Sequence, residues 1–251
     1  GITLLEFDGR SDTETQLNQC ENAIASGADA LLFIPFDKDG AAPIIDNCNE
    51  AGIPVICCNN ITTNVDQATA YVGANDVEAG IMETEYIVDL IGGKGNIAVV
   101  EGPFGHSAQV ARQEGLEQVL AGYPDCKIVL DDTANWNRDE AMELVENWIA
   151  GGTQIDAIIC HNDIMAMGAL QACQDAGLEI PIIGIDATYD ALCAVKDGTL
   201  AADVYQDVYG QAEEAFNVCM RILNGETFEQ TTYVPFKLIT KDNVDEYLAN
   251  F

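Results

Sequence analysis

GADALLFIPFDKDGAAPIIDNCNEAGIPVICCN (residues 27–59) has the same pattern as TQIDAIICHNDIMAMGALQACQDAGLEIPIIGID (residues 153–186). In both stretches an apolar strand follows Asp-Ala, and an Asp stands after the strand (Asp37, Asp163). A helical pattern then ends in Ala-Gly before an Ile-Pro strand. The echo is either convergence between ordinary strand–helix units or the trace of a duplicated α/β lobe, and duplication is the stronger interpretation.

Apolar runs of strand length alternate with helical patterns along the chain, and most of these helical patterns end in glycine. The runs lie at residues 2–7, 30–35, 54–58, 95–101, 127–130, 157–160, 181–185 and 201–205. Strands that are apolar on both faces and alternate with helices are typical of a parallel sheet covered by helices. The sequence therefore predicts an α/β fold of two similar Rossmann-like lobes with parallel sheets.

Length and charge restrict the class of protein. The 251 residues are enough for two lobes of about 100 to 150 residues each. Forty-two acidic residues against ten basic ones give a formal charge of -32, which repels phosphate backbones and anionic lipids. We therefore expect no nucleic-acid partner. No apolar run approaches the ~20 residues of a membrane-spanning helix, so we also expect that the chain does not span a membrane.

The nine cysteines are scattered without a CxxC pair, and the two histidines, His106 and His161, lie far apart in the chain. This spacing argues against a metal site. The cysteines expected on apolar helix faces or in strands are Cys20, Cys48, Cys57, Cys160, Cys173 and Cys219. Buried free thiols of this kind indicate a reducing setting, or an anaerobe if the protein is exported.

Polar residues follow nearly every predicted strand. In open parallel sheets, ligands bind at the carboxyl ends of the strands, so these positions are candidates for a binding site. They are Asp8, Asp37, Asn59, Asn60, residues 102–107, residues 135–137, Asn162, Asp163, Asp186 and Gln206. Each Asn or Asp could equally be a helix cap, and only the recurrence at equivalent strand ends favours a site.

The chemistry of these residues fits binding better than catalysis. GPFGHS (residues 102–107) lacks the lysine and the spacing of a phosphate-binding loop, and no spacing supports Cys57 or Cys58 as a nucleophile beside His161. We predict no catalytic residue, metal or cofactor. Amides and carboxylates can grip the hydroxyls of a sugar, and an aromatic ring such as Trp136 can cover its C–H face.

Motifs along the whole chain carry a family resemblance. They are residues 27–56, YVGANDVEAG (71–80), HSAQVARQEG (106–115), CHNDIMAMGAL (160–170), PIIGIDAT (181–188) and GTLAADVYQDVYGQAEEA (198–215). The chain resembles the periplasmic sugar-binding proteins of the ribose/galactose type, which serve ABC transporters. The resemblance implies the type I fold of this class, in which three crossovers join two lobes and a hinge closes them over a monosaccharide.

The resemblance also divides the chain and assigns roles. Lobe 1 is expected at residues 1–75 plus 207–234, and lobe 2 at residues 76–206 plus 235–251. Asn162 resembles the cleft asparagine, Asp186 the carboxylate that grips sugar hydroxyls, and Trp136 the stacking aromatic. Gln206 matches the hinge glutamine. The hinge positions implied are Asn75, Asp76, Gln206 and Pro235.

Two departures from the ribose-type pattern concern the ligand. Asn59-Asn60 stands where those members have Asp-Arg, and Val110 stands where they have a ligand-holding arginine. Gln109 and Arg112 flank that position and are included among the expected ligand residues, although Arg112 could equally be a structural helix residue. Neutral side chains thus replace two charged ligand contacts, which puts ribose itself in doubt and leaves a neutral polyol or a hexose open as the ligand.

The remaining expectations concern context. The family's first strand–helix unit, roughly thirty residues, is expected upstream of Gly1. The resemblance implies export to the periplasm, or to the cell surface as a lipoprotein anchored through a preceding segment. The expected partners are a sugar ligand and an ABC-transporter permease. The sugar-sensing domain of a LacI-like regulator and a chemoreceptor ligand module share this architecture and stay open as alternatives.

Overall fold

The computed structural model describes residues 1–249 and 251. The helices are α1 Thr13–Ala25, α2 Ala42–Ala51, α3 Asp76–Leu90, α4 Ser107–Leu120, α5 Arg138–Ala150, α6 Asp163–Asp175, α7 Tyr189–Asp197, α8 Val208–Leu223 and α9 Val244–Leu248. The strands are β1 Leu31–Phe33, β2 Val55–Asn59, β3 Ala70–Gly73, β4 Gly95–Glu101, β5 Cys126–Thr133, β6 Ala157–Cys160, β7 Ile182–Ile185, β8 Ala202–Tyr205, β9 Thr231–Tyr233 and β10 Lys237–Ile239.

These elements form two compact units. Unit 1 comprises Gly1–Ala74, Gly105–Ser107 and Asp207–Val234. Unit 2 comprises Asn75–Phe104, Ala108–Gln206 and Pro235–Phe251. The chain therefore passes from one unit to the other after Ala74, Gln206 and Val234, and a short excursion places residues 105–107 with unit 1.

Unit 1 is a parallel sheet of order β1-β2-β3-β9. Alternate residues of its strands point to opposite faces, as the pleat requires. Val55 and Cys57 pack with α1 and α2, whereas Ile56 and Val72 pack with α8. Helices thus cover both faces of the sheet, which explains the apolar residues on both faces of β2 and β3.

Unit 2 is a six-stranded sheet of order β10-β8-β7-β6-β4-β5. Its strands are parallel except β10, which runs antiparallel to β8. α5, α6 and α7 bury a core of small and branched side chains on one face, and α3 contacts β6, β7 and β8. The carboxyl ends of β4, β6, β7 and β8 carry the polar residues discussed below.

Most of the predicted strands are confirmed. β4 and β6 have the predicted bounds, and β1, β2, β5, β7 and β8 overlap the predicted runs. Strands β3, β9 and β10 were not predicted. The buried positions expected for the cysteines are also confirmed, since the six cysteines expected on helices or in strands are all buried.

The strand predicted at residues 2–7 is wrong, because the structure assigns no strand there. Ile2 and Leu4 are 63% and 71% exposed. A strand forms only where a neighbouring backbone completes its hydrogen bonds, and β1, at the edge of the unit 1 sheet, pairs with β2 alone among the described strands. Residues 2–7 therefore form no strand although their composition suits one.

Candidate functional site

Arg112 on α4 is the centre of a buried polar cluster in unit 2. Its side chain is 5% exposed. The Nε and Nη2 atoms each lie 2.9 Å from Oδ1 of Asp76, and Nη1 donates to the carbonyl oxygen of His161. Burial by itself lowers the pKa of Arg112, but Asp76, Asp186 and Glu83 outweigh it and raise that pKa. Arg112 is therefore a fixed cation held among carboxyl groups.

Trp136 lies against this cation, in the loop after β5. The guanidinium carbon of Arg112 is 5.8 Å from the centroid of the indole ring, within the range of a cation–π contact. Asn135 and Trp136 both have positive φ, and Asn137 caps α5 by accepting from the amides of Asp139 and Glu140. This turn directs a large aromatic ring towards the strand ends.

Gly102, just after β4, makes room for that ring. A Cβ atom at position 102 would overlap the indole of Trp136. A side chain at this position would therefore displace the ring, so the glycine is needed for the close approach of Trp136 to the end of the sheet.

Asn162 and Asp186 follow β6 and β7. Asn162 is 7% exposed and caps α6, because its Oδ1 accepts from the amide of Met165 at 3.0 Å. Asp186 has φ 123° and donates its amide to the carbonyl of Val204 at 2.9 Å. Burial raises the pKa of Asp186 to about 7, although Arg112 acts to lower it. The carboxyl group can therefore accept or donate a hydrogen bond near neutral pH.

Two glutamines complete the polar residues predicted in unit 2. Gln109 on α4 donates through Nε2 to Oε2 of Glu101 at 2.5 Å. Burial raises the pKa of Glu101, while this hydrogen bond from Gln109 lowers it. Gln206 follows β8 and is 8% exposed. The structure thus places Gln206 at a strand end and ties Gln109 to the end of β4.

The residues predicted in unit 1 form a network of amides. Asn59 has φ 59°, and its Nδ2 donates to Oε1 of Gln211 at 2.9 Å. Nδ2 of Asn60 donates to the carbonyl of Pro35 at 2.9 Å and lies 3.2 Å from Nε2 of His106. No charged group takes part in these contacts. Unit 1 therefore offers neutral amide chemistry at the end of β2.

Most of the chain matches one known protein family. The family described as periplasmic binding protein domain matches residues 1–227. The chain belongs to the periplasmic binding protein family.

Relatives of this periplasmic binding protein cover nearly the whole chain. The xylitol-binding protein of Mycolicibacterium smegmatis is 38% identical over 246 residues, 97% of this chain and 70% of the relative. An ABC transporter solute binding protein from Bacillus halodurans with bound myo-inositol has a TM-score of 0.94 and 39% identity, covering 97% of this chain and 85% of that chain. The Caulobacter myo-inositol binding protein bound to myo-inositol has a TM-score of 0.94 and 28% identity, covering 100% of this chain and 87% of that chain.

These similarities confirm two predictions, the sugar-binding family of ABC transporters and the type I fold. Members of this family are solute-binding proteins rather than enzymes. The family is typically exported to the periplasm. None of the helices in the described part of the chain has both the length and the apolar character to cross a bilayer.

Two of the four hinge residues predicted for this binding protein make defined local contacts. Asn75 caps α3, since its Oδ1 accepts from the amide of Val77 at 3.3 Å. Asp76 holds Arg112, as described above. Pro235 follows β9 and is exposed. Asn75, Gln206 and Pro235 each border a passage of the chain between units, and their role as a hinge stays a prediction.

Three buried groups were missed by the sequence prediction of the site. Glu83 on α3 and Asp203 on β8 are fully buried, and so is the His161 imidazole, whose ring nitrogens have no hydrogen-bond partner among the described groups. Burial and Arg112 lower the pKa of His161 to about 3, so its ring stays neutral. In the described residues, no group of His, Cys, Asp and Glu side chains is arranged to hold a metal ion.

Proposed function

We propose that this periplasmic binding protein captures a neutral polyol of the inositol or pentitol kind and delivers it to an ABC permease. The proposal rests chiefly on one observation in unit 2, where Arg112 contacts Asp76, lies beside the Trp136 ring and interacts electrostatically with Asp186. An apolar ring beside a charged and a titratable group suits a ligand with C–H faces and adjacent hydroxyls.

Similar proteins whose ligands are known support a polyol as the class of ligand. The similar proteins include a xylitol-binding protein and two proteins with bound myo-inositol. The amides of Asn59 and Asn60, in place of the Asp-Arg pair of ribose-type members, provide neutral donors and acceptors. A ring or chain of hydroxyls satisfies such amides without a charged partner.

Closure of the two units is part of the proposal. Asn59, Asn60, Gln109, Arg112, Trp136, Asn162, Asp186 and Gln206 are the proposed ligand residues, and Asn75, Asp76, Gln206 and Pro235 the proposed hinge. A ligand that bonds groups of both units favours the closed state, and the permease then reads that state. Export to the periplasm, or to the cell surface as a lipoprotein, belongs to the same proposal.

Isothermal titration calorimetry with myo-inositol, xylitol and ribose tests the ligand class. We expect binding of at least one of the two polyols, and weaker binding of ribose. Asp186→Ala should cost about 1 to 3 kcal/mol of affinity, because hydroxyls of the bound ligand lose a buried partner. Asp190→Ala, at an exposed position on α7, is the matched control. Absence of binding to all three, and to a wider panel of neutral sugars, would refute the proposal.

Small-angle scattering with and without the bound polyol tests closure. We expect the radius of gyration to fall when the ligand is added and to stay constant with a sugar that does not bind. The same ligand should then make the protein stimulate ATP hydrolysis by its permease complex in proteoliposomes. Binding without compaction would remove the hinge from the proposal while leaving the ligand class intact.

A further inference from the structure

Asp163 and Asp203 form a buried carboxyl pair in unit 2. Both residues are 0% exposed. Each carboxyl group changes the pKa of the other, and the buried oxygens Oδ1 of Asp163 and Oδ2 of Asp203 have no hydrogen-bond partner in the described structure. Two ionised carboxylates offer only acceptors, so a hydrogen bond between them needs one proton.

The outer oxygens of the pair hold the loop that follows β7. Oδ2 of Asp163 accepts from the amide of Thr188 at 2.6 Å, and Oδ1 of Asp203 accepts from the amide of Ala187 at 3.2 Å. Asp186 and Ala187 have φ of 123° and 56°. Non-glycine residues rarely adopt this region, so the loop keeps its shape only because its surroundings fix it.

Strand β7 makes room for the pair. Gly184 lies opposite Asp203 in the register of β7 and β8. A Cβ atom at position 184 would lie 2.5 Å from Oδ1 of Asp163, one of the two buried oxygens without a partner. The missing side chain of Gly184 therefore provides the space for the carboxyl group of Asp163 beside the sheet.

We propose that Asp163 and Asp203 share one proton and are positioning residues that hold the 186–188 loop, and with it the Asp186 carboxyl, in the geometry for binding ligand. The effect on ligand binding rests on the proposed function, whereas the shared proton does not depend on it. Neither residue touches the ligand in this scheme. They act through the amides of Ala187 and Thr188.

The electrostatic surroundings favour retention of the proton. The titratable and charged groups that interact with the pair are Glu83 on α3, Cys160 at the end of β6 and Asp186 after β7. Arg138 on α5, and Tyr189 and Asp190 on α7, line a cavity together with Asp163. Burial, then Asp203 and Asp186, raise the pKa of Asp163. Burial raises the pKa of Asp203 to about 6, against the lowering effect of its hydrogen bonds. Both effects favour the retention of one proton by the pair.

Asparagine variants replace the proton by an amide. In Asp163→Asn or Asp203→Asn, the side-chain oxygen can still accept from the loop, and Nδ2 can donate to the remaining carboxylate. In the double variant, two NH2 groups face each other and neither finds an acceptor. We therefore expect either single asparagine variant to rescue most of the polyol affinity lost in Asp163→Ala, whereas the double asparagine variant loses about tenfold or more.

Calorimetry measures the affinity of each variant at one pH near 7, with the polyol that the wild type binds. The double variant Asp175→Asn/Asp190→Asn, at exposed positions on α6 and α7, controls for the loss of two charges. A double asparagine variant that binds as well as the single variants would overturn the shared proton. So would single variants as weak as Asp163→Ala.

A readout without ligand separates this inference from the proposed function. A carboxyl pKa raised by folding stabilises the protein at low pH, and this stability is lost as the pH rises through the folded-state value. The thermal midpoint of the wild type should fall with rising pH more steeply than that of Asp163→Asn. If no polyol binds but the midpoints follow this order, the proposed function fails and the shared proton stands. Parallel midpoint profiles would refute the shared proton whatever the ligand.

Discussion

Arg112 shows how one residue balances burial against charge. A buried cation is stable only when carboxylates and hydrogen bonds replace its water, and Asp76 and the His161 carbonyl do so here. The same guanidinium group also interacts electrostatically with Asp186 and lies beside the Trp136 ring. The contacts of Arg112 show that it holds α3 and the end of β6 together. The sequence left a structural role and a ligand contact open for Arg112, and its contact with ligand stays a prediction.

Trp136 should report ligand binding by its fluorescence. The chain has two tryptophans, and Trp148 on α5 packs against the helical core of unit 2, away from the strand ends. We expect a polyol to change the emission of wild type and of Trp148→Phe, but not of Trp136→Phe. Trp136→Ala should also lose about 1 kcal/mol or more of affinity, since the apolar face of the ligand loses its ring.

The two phenylalanine variants are matched controls, because each keeps an aromatic ring and leaves one tryptophan. Fluorescence titration with the polyol identified by calorimetry is the measurement. An emission change that persists in Trp136→Phe and disappears in Trp148→Phe would place the ligand elsewhere.

The sequence predicts the positions of some of these residues and not of others. The strand-end positions of Asn162 and Asp186 were predictable because they lie two residues and one residue, respectively, after an apolar strand. Glu83 was missed, although its spacing of four from Ala79 and Ile87 puts it on the buried face of α3 and could have revealed it. The pairing of Asp163 with Asp203 was beyond prediction, since it depends on the register of β7 and β8 and on the path of the loop between them.

At the scale of elements, α3 and α4 pack through glycines. A Cβ atom at Gly115 would overlap the carbonyl oxygen of Val77, and one at Gly80 would overlap that of Arg112. The two backbones therefore approach closely, and this contact sets the position of Arg112 beside Asp76. Helix packing of this kind leaves no space for an added methyl group.

Gly115→Ala should destabilise the protein by about 1 to 3 kcal/mol, because the added methyl group forces α3 and α4 apart. Gly122→Ala, just after α4, is the control. A Cβ there meets its nearest atom at 3.4 Å, an ordinary contact, so the change should be less than about 1 kcal/mol. Urea unfolding of both variants measures the difference. Equal stabilities would show that α3 and α4 can separate without cost.

Elements were predictable where periodicity and turn signals agreed. β4 and β6 are apolar runs with polar flanks, and their bounds were predicted correctly. β10 was missed because Lys237–Ile239 is only three residues long and is a strand only through its pairing with β8. The run at residues 2–7 has the opposite problem, since its composition suits a strand but the described structure offers it no partner. Pairing is a property of the sheet and cannot be read from one segment.

At the scale of the whole molecule, two kinds of negative charge act on stability. The formal charge of -32 is mostly on the surface and destabilises the compact state by repulsion that salt screens. Buried carboxyl groups act differently. Burial raises the pKa of Glu83, Glu101, Asp163, Asp186 and Asp203, and salt screens these groups much less. Stability should therefore rise as pH falls towards the unfolded-state values near 4, even at high salt.

Glu83→Gln isolates one buried group in this pH dependence. Burial raises the pKa of Glu83 well above its usual value, against a smaller lowering by Arg112, and neither carboxyl oxygen has a hydrogen-bond partner in the described structure. The wild type therefore loses stability as the pH rises above the unfolded-state pKa of Glu83. The loss is about 1.4 kcal/mol for each pH unit between the unfolded-state and folded-state pKa values. Glutamine has no proton to lose, so the stability of Glu83→Gln relative to wild type should increase between about pH 5 and pH 8. Glu85→Gln, exposed on the same helix, should show no such increase. Thermal unfolding in about 1 M salt, which screens the surface charges, makes the comparison, and parallel curves for Glu83→Gln and wild type would mean that Glu83 ionises without cost.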